Sequence, residues 1–133
     1  MTADHAPRHQ SRERALALLY EAELKGESPT AIVAAQAVAP DPYVTTLLTA
    51  VSDRSGEVDG LIDEAAIGWD LGRMAVVDRN VLRLATAELL ACDGVPTAVI
   101  LNEAVELAAA FSTDDSGRFV NGVLATVATK IRG

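Results

Sequence analysis

The chain has 133 residues, half of them hydrophobic but only 4% aromatic, with a formal net charge of −8; that length supports one domain whose modest core is built from aliphatic side chains. No apolar run is long enough to cross a bilayer, the opening Met1-Thr2-Ala3-Asp4-His5-Ala6-Pro7 lacks the apolar stretch of a secretory signal, and the single Cys92 can form no internal disulfide, so a reducing, cytoplasmic setting is expected. The acidity is concentrated: residues 41–70 hold Asp41, Asp53, Glu57, Asp59, Asp63, Glu64 and Asp70 against Arg54 alone, which accounts for −6 and leaves −1 on either side.

A flexible segment is expected over residues 1–7, followed by a first helix from about Arg8 to Lys25. Gly26 falls where that helix could stop. Ser28-Pro29 and Asp41-Pro42 each read as an N-cap with proline at the first helical position. Gly68, Gly72 and Gly94 mark further ends or turns. β-Branched residues are scattered among alanines and do not alternate with polar ones, so strands are not expected. From Val76 to Cys92 an apolar arc holds Val77, Val81, Leu84, Ala85, Leu89 and Cys92. Arg79, Arg83 and Thr86 line its other side. Glu88 points into the apolar arc, where a carboxylate needs backbone N–H groups or a nearby arginine. From Thr97 to Phe111, Ile100, Leu101, Ala104, Val105, Leu107, Ala108 and Phe111 share one arc. Asn102, Glu103 and Glu106 lie opposite, and Val99 is the exception. A last helix from about Asp115 buries Val120, Val123, Leu124, Val127 and Ile131, with Phe119 at the rim and Arg118, Gly122 and Thr126 outside. The sum is an all-α domain of about seven helices over residues 8–133.

No catalytic constellation is visible. His5 and His9 both lie near the N-terminus, no second thiol or histidine cluster builds a zinc site, and no metal or cofactor is expected. Phosphate-loop, dinucleotide and HExxH patterns are absent. Gly56, Gly60, Gly68 and Gly72 are regularly spaced, but no strand precedes them. Asp63-Glu64 and Asp114-Asp115 read as solvated faces, the latter favoured at a helix N-terminus. Two binding features remain. Arg8 and Arg12, at i and i+4 with His9 beside them, could reach phosphates; an ordinary charged first turn explains them equally well. Asp115, Arg118 and Phe119 offer an acceptor, a cation and a ring that could stack on a base, although the pattern alone favours a normal helix start. With few cations, any RNA affinity is expected to be modest.

Five stretches go beyond pattern: Arg12-Glu-Arg-Ala-Leu-Ala-Leu-Leu-Tyr20-Glu; Val77-Asp-Arg-Asn-Val-Leu-Arg-Leu-Ala85 with Glu88-Leu; Val95-Pro; Leu101-Asn-Glu-Ala-Val-Glu-Leu-Ala; and Phe111-Ser-Thr-Asp-Asp-Ser-Gly-Arg-Phe-Val-Asn-Gly-Val-Leu124. In this order they resemble the transcription antitermination factor NusB family, and the last stretch is the most specific. The resemblance implies two packed helical bundles, a boxA-type RNA, the small-subunit ribosomal protein NusE as partner, and action within the RNA polymerase antitermination complex on ribosomal RNA operons. It implies no cofactor and no reaction. By position, the family's RNA contacts fall on Arg8, His9, Arg12, Asp115, Arg118 and Phe119, and its partner surface on Tyr20 and Asp78. Arg79 and Arg83 could support that surface or serve structure alone. The usual basic run is thinned to Arg8-His9-Gln10, and His9 is mostly uncharged at neutral pH.

Arg12→Ala is therefore expected to weaken RNA binding and flatten its salt dependence, and Phe119→Ala to weaken it at every salt concentration. NusB-like domains also begin certain ribosomal RNA cytosine methyltransferases. This sequence ends at Gly133, so a role in ribosomal RNA modification or maturation would make it a separate targeting domain. A protein-only helical scaffold is the other alternative. A homodimer through the surface that otherwise meets RNA or NusE stays open.

Overall fold

The computed structural model describes the backbone of residues 5–133 and side chains from residue 8 onward. The described residues form seven helices and no strand: α1 His5–Lys25, α2 Pro29–Ala34, α3 Pro42–Asp53, α4 Ser55–Ala65, α5 Val76–Ala91, α6 Thr97–Phe111 and α7 Asp114–Arg132, with a 3₁₀ turn at Leu71–Arg73. Of the flexible segment expected over residues 1–7, residues 1–4 lie outside the described residues, and the other three open α1.

The local signals act as their chemistry dictates. Gly26 takes φ +66°, so Gly26 N–H donates to Glu23 O at 3.2 Å and Glu27 N–H donates to Ala22 O at 2.9 Å. This pairing satisfies the last carbonyls of α1, and a side chain there would be strained. Ser28 Oγ accepts from Ala31 N–H at 3.1 Å and Asp41 Oδ1 from Tyr43 N–H at 2.7 Å, which start α2 and α3. Gly56 and Gly60 lie inside α4 and end nothing.

Helices α1, α2 and α3 pack on one another; α4 to α7 form a second group; α5 touches α1 and α3 as well as α4, α6 and α7. That central position explains one departure from expectation. Thr86, read as lining the polar side, is fully buried, because α5 is covered nearly all round. Of its two outward arginines, Arg79 donates to both oxygens of Glu23 on α1 and to Leu71 O at 3.0 Å. Arg83 donates to Asp59 on α4 at 2.9 Å. Both tie neighbouring elements to α5, so the structural role is the one the geometry supports.

On α7 the expected arc holds for Val120, Val123, Leu124 and Val127, which are buried while Arg118, Gly122 and Thr126 face out; Ile131, in the last turn, is only half-buried. On α6, Ile100, Ala104, Leu107 and Ala108 are buried, but Phe111 is 50% exposed. It sits at the last residue of α6, beyond the reach of the core.

Candidate nucleic-acid interface

The first turns of α1 lie across the start of α3 and the middle of α6. Arg8 places its guanidinium carbon 4.7 Å from the centre of the Tyr43 ring, a cation over a π face. Arg12 points inward, with a side chain only 3% exposed. Its Nε and Nη2 donate to the two oxygens of Glu88 at 2.9 and 2.6 Å, and its Nη1 donates to Glu103 Oε1 at 2.8 Å. Tyr43 Oη donates to Glu88 Oε2 at 2.5 Å. Burial, and then that bond to Glu88, pushes the Tyr43 phenol well up, so it stays protonated. The partner Glu88 required is thus Arg12. The same geometry corrects the expectation for Arg12: its donors are taken by two carboxylates, and none is presented to a phosphate.

His9 lies beside this network. One ring nitrogen, Nδ1, is 2.9 Å from Glu103 Oε2 and the other, Nε2, is 3.5 Å from Glu13. The hydrogen bond to Glu103 raises the His9 pKa above its ordinary 6.5. The paired, protonated ring therefore contributes stability fully below the ordinary value and loses it as pH rises through the raised one. An NMR titration of the His9 ring is expected to give a midpoint above 6.5, and Glu103→Gln is expected to bring it down.

The start of α7 is built more rigidly than a normal charged first turn. Thr113 Oγ1 accepts from Ser116 N–H, and Ser116 Oγ accepts from Thr113 N–H, both at 3.3 Å, a reciprocal cap. Ser116 Oγ also lies 3.0 Å from Asp78 Oδ2, which fixes α7 to the first turn of α5. The other oxygen, Asp78 Oδ1, is buried without a hydrogen-bond partner. Phe119 meets Trp69 edge to face, with centroids 5.8 Å apart and planes at 65°. These two rings, with Met74, Asp78, Asp115 and Ser116, line an open cavity of about 200 Å³. Asp115, at the edge of the cavity, and Arg118, beyond its lining, are 92% and 90% exposed and form a loose pair at 3.6 Å. Trp69 was not among the expected site residues.

Tyr20, 42% exposed, and Phe111 lie on a second, apolar cavity of about 350 Å³ with Leu16, Ala17 and Val77. Val77 of this groove and Asp78 of the first cavity are consecutive in the first turn of α5, so both surfaces border that turn. Glu13, which contacts His9, lines the second cavity. His9 thus adjoins the Tyr20–Phe111 groove through Glu13, and the groove neighbours the Trp69–Phe119 cavity in the chain at Val77–Asp78 and Phe111–Thr113.

The NusB family model matches residues 9–129. The chain is 47% identical to the transcription antitermination protein NusB of Saccharopolyspora erythraea over 127 residues, covering 91% of this chain and 86% of the relative. It is 48% identical to that of Acidothermus cellulolyticus over 124 residues, covering 90% and 86%. Its fold is similar to T. maritima NusB, with a TM-score of 0.85 and 32% identity over 93% of this chain and 92% of that one. It is also similar to a chain in the crystal structure of antitermination factors NusB and NusE with double-stranded RNA, with a TM-score of 0.78 and 26% identity over 92% and 96%. The cap, rings and helix order described above are thus those of a chain that belongs to the NusB family.

Proposed function

We propose that this protein is a transcription antitermination factor that binds a boxA-type RNA jointly with NusE, within the RNA polymerase complex on ribosomal RNA operons. The observation that carries the reading is two surfaces of different kind that both border the first turn of α5. The Trp69–Phe119 cavity, with Asp115 at its edge and Arg118 close by, offers ring surface, an exposed cation only loosely paired, and acceptors suited to an unstacked base and its phosphate. The adjoining Tyr20–Phe111 groove is apolar and suits a protein. In this reading Arg8, His9, Asp115, Arg118 and Phe119 meet RNA, Tyr20 meets the protein partner, and Asp78 stands in the turn that both surfaces border. Arg12 acts indirectly, by holding Glu103 and Glu88 in place beneath His9 and Arg8.

A net charge of −8 and an inward Arg12 leave few phosphate contacts, so RNA binding by the chain alone is expected to be weak. Fluorescence anisotropy of a labelled boxA RNA tests this. NusE is expected to tighten binding about ten-fold or more, a coupling of about 1.4 kcal/mol. No gain on adding NusE would overturn the reading. The absence of RNA binding in both arms, with NusE still bound, would favour a protein-only scaffold.

A further inference from the structure

We propose that His9, Glu103 and Glu106 form a binding site for a divalent transition-metal ion of the Zn²⁺ class, at the RNA-facing end of α1. One ligand atom from each of the three lies within 4.8 Å of the others. Around a tetrahedral ion with bonds of about 2.0–2.2 Å, ligand atoms stand about 3.3–3.6 Å apart. A movement of about 1 Å at the side-chain tips, available to the exposed Glu106, closes the site. Glu103 and Glu106 are three residues apart on α6, on one side of that helix, and His9 comes from α1. Residues at i and i+3 lie on the same side of a helix, so the two carboxylates can converge on an atom held by a third group from another element.

The surrounding groups fit the same use. Arg12, anchored by Glu88, donates to Glu103 Oε1 and so turns Oε2 towards His9. Nδ1 of His9 faces that oxygen, while Nε2 faces Glu13. A carboxylate beside the other ring N–H of a ligating histidine is the usual outer arrangement of a metal centre, and Glu13, 3.5 Å from Nε2 without a hydrogen bond to it, stands in that place. One imidazole and two carboxylates favour Zn²⁺ or Co²⁺ over Mg²⁺, which prefers oxygen alone. Binding replaces the proton on Nδ1 with the ion. It also relieves the convergence of Glu13, Glu103 and Glu106.

Three protein ligands leave positions open for water or a phosphate oxygen. The ion would then restore, beside Arg8, positive charge that this thinned N-terminal patch lacks. This consequence rests on the RNA-binding reading, whereas the metal site itself does not.

The test uses the full, tag-free chain. Zn²⁺ calorimetry and the visible spectrum of added Co²⁺ are expected to show one saturable equivalent, lost in Glu106→Gln and not reproduced by Mg²⁺. With NusE present, Zn²⁺ is expected to tighten boxA RNA several-fold relative to chelator in the wild type and to leave Glu106→Gln unchanged. The proposal is overturned if no saturable site appears, or if Glu106→Gln binds Zn²⁺ as the wild type does. RNA affinity equal in Zn²⁺ and chelator overturns the phosphate-bridging role. One equivalent of Zn²⁺ bound by a chain that takes no RNA in either condition supports the metal site and sinks the RNA reading instead.

Discussion

Arg12→Ala is expected to lower the unfolding free energy by about 3–5 kcal/mol. The reason lies in what it leaves behind. Glu88 is 1% exposed and takes three of its four side-chain hydrogen bonds from Arg12 and one from Tyr43. Without Arg12 its charge is buried with a phenol as its remaining partner, and Glu103 loses its anchor too. A domain of this size has about 5–15 kcal/mol in total, so the variant sits near the edge of folding. Urea unfolding would show a lower midpoint with an unchanged slope. Arg12→Met combined with Glu88→Leu removes both charges and is expected to recover much of the loss. A cost below about 1 kcal/mol for Arg12→Ala, the range of an exposed pair, would contradict the inward placement. The RNA defect expected of this substitution from its position in the sequence is thereby reassigned. It would follow from a disturbed α1–α3–α6 junction and not from a lost phosphate contact, and the salt dependence of the folded fraction would stay unchanged.

Phe119→Ala is expected to weaken boxA RNA binding by about 1–3 kcal/mol, roughly 5- to 150-fold. The slope of affinity against salt should not change, since a ring neutralises no phosphate. Arg118→Ala, one residue away, should do the opposite: a smaller loss at low salt, and a slope reduced by about 1. The contrast is readable because the two side chains differ in setting. Arg118 is solvent-exposed and tied only loosely to Asp115, whereas Phe119 is half-buried against Trp69. Phe119→Ala also removes packing, so Phe119→Leu serves as the control: it keeps apolar volume and should retain the fold while losing the stack. Equal RNA affinity of Phe119→Leu and wild type would remove the ring from the interface.

How much of this was legible in the residues depended on the kind of signal. The α7 arc and the caps at Ser28 and Asp41 could be read directly, because each depends on neighbours within one or two turns. The burial of Thr86 could not, because a periodic arc assumes one solvent side and α5 has almost none. Glu88 announced that it needed a partner; which arginine supplied it depended on how α1 crosses α5, 76 residues away in sequence. Arg8 and Arg12 share a spacing but not a fate: one rests on the Tyr43 ring at the surface and the other is enclosed. Trp69 lies between α4 and α5 in a segment without periodicity, so nothing local linked it to Phe119, 50 residues on. The family resemblance supplied the position proposed for the site. Only the packing supplied the division between groups that face outward and groups that hold them.

The central claim, that these neighbouring surfaces join RNA to a protein partner, is tested most directly by amide chemical-shift mapping of the chain with NusE and boxA RNA. Adding RNA to the preformed pair is expected to move the signals of Arg8 and His9, the Trp69 indole, Asp78 and Asp115 to Phe119. The acid-rich side around Asp53, Glu57 and Asp63 should stay silent. RNA-dependent shifts confined to α3 and α4, with the start of α7 unmoved, would contradict it.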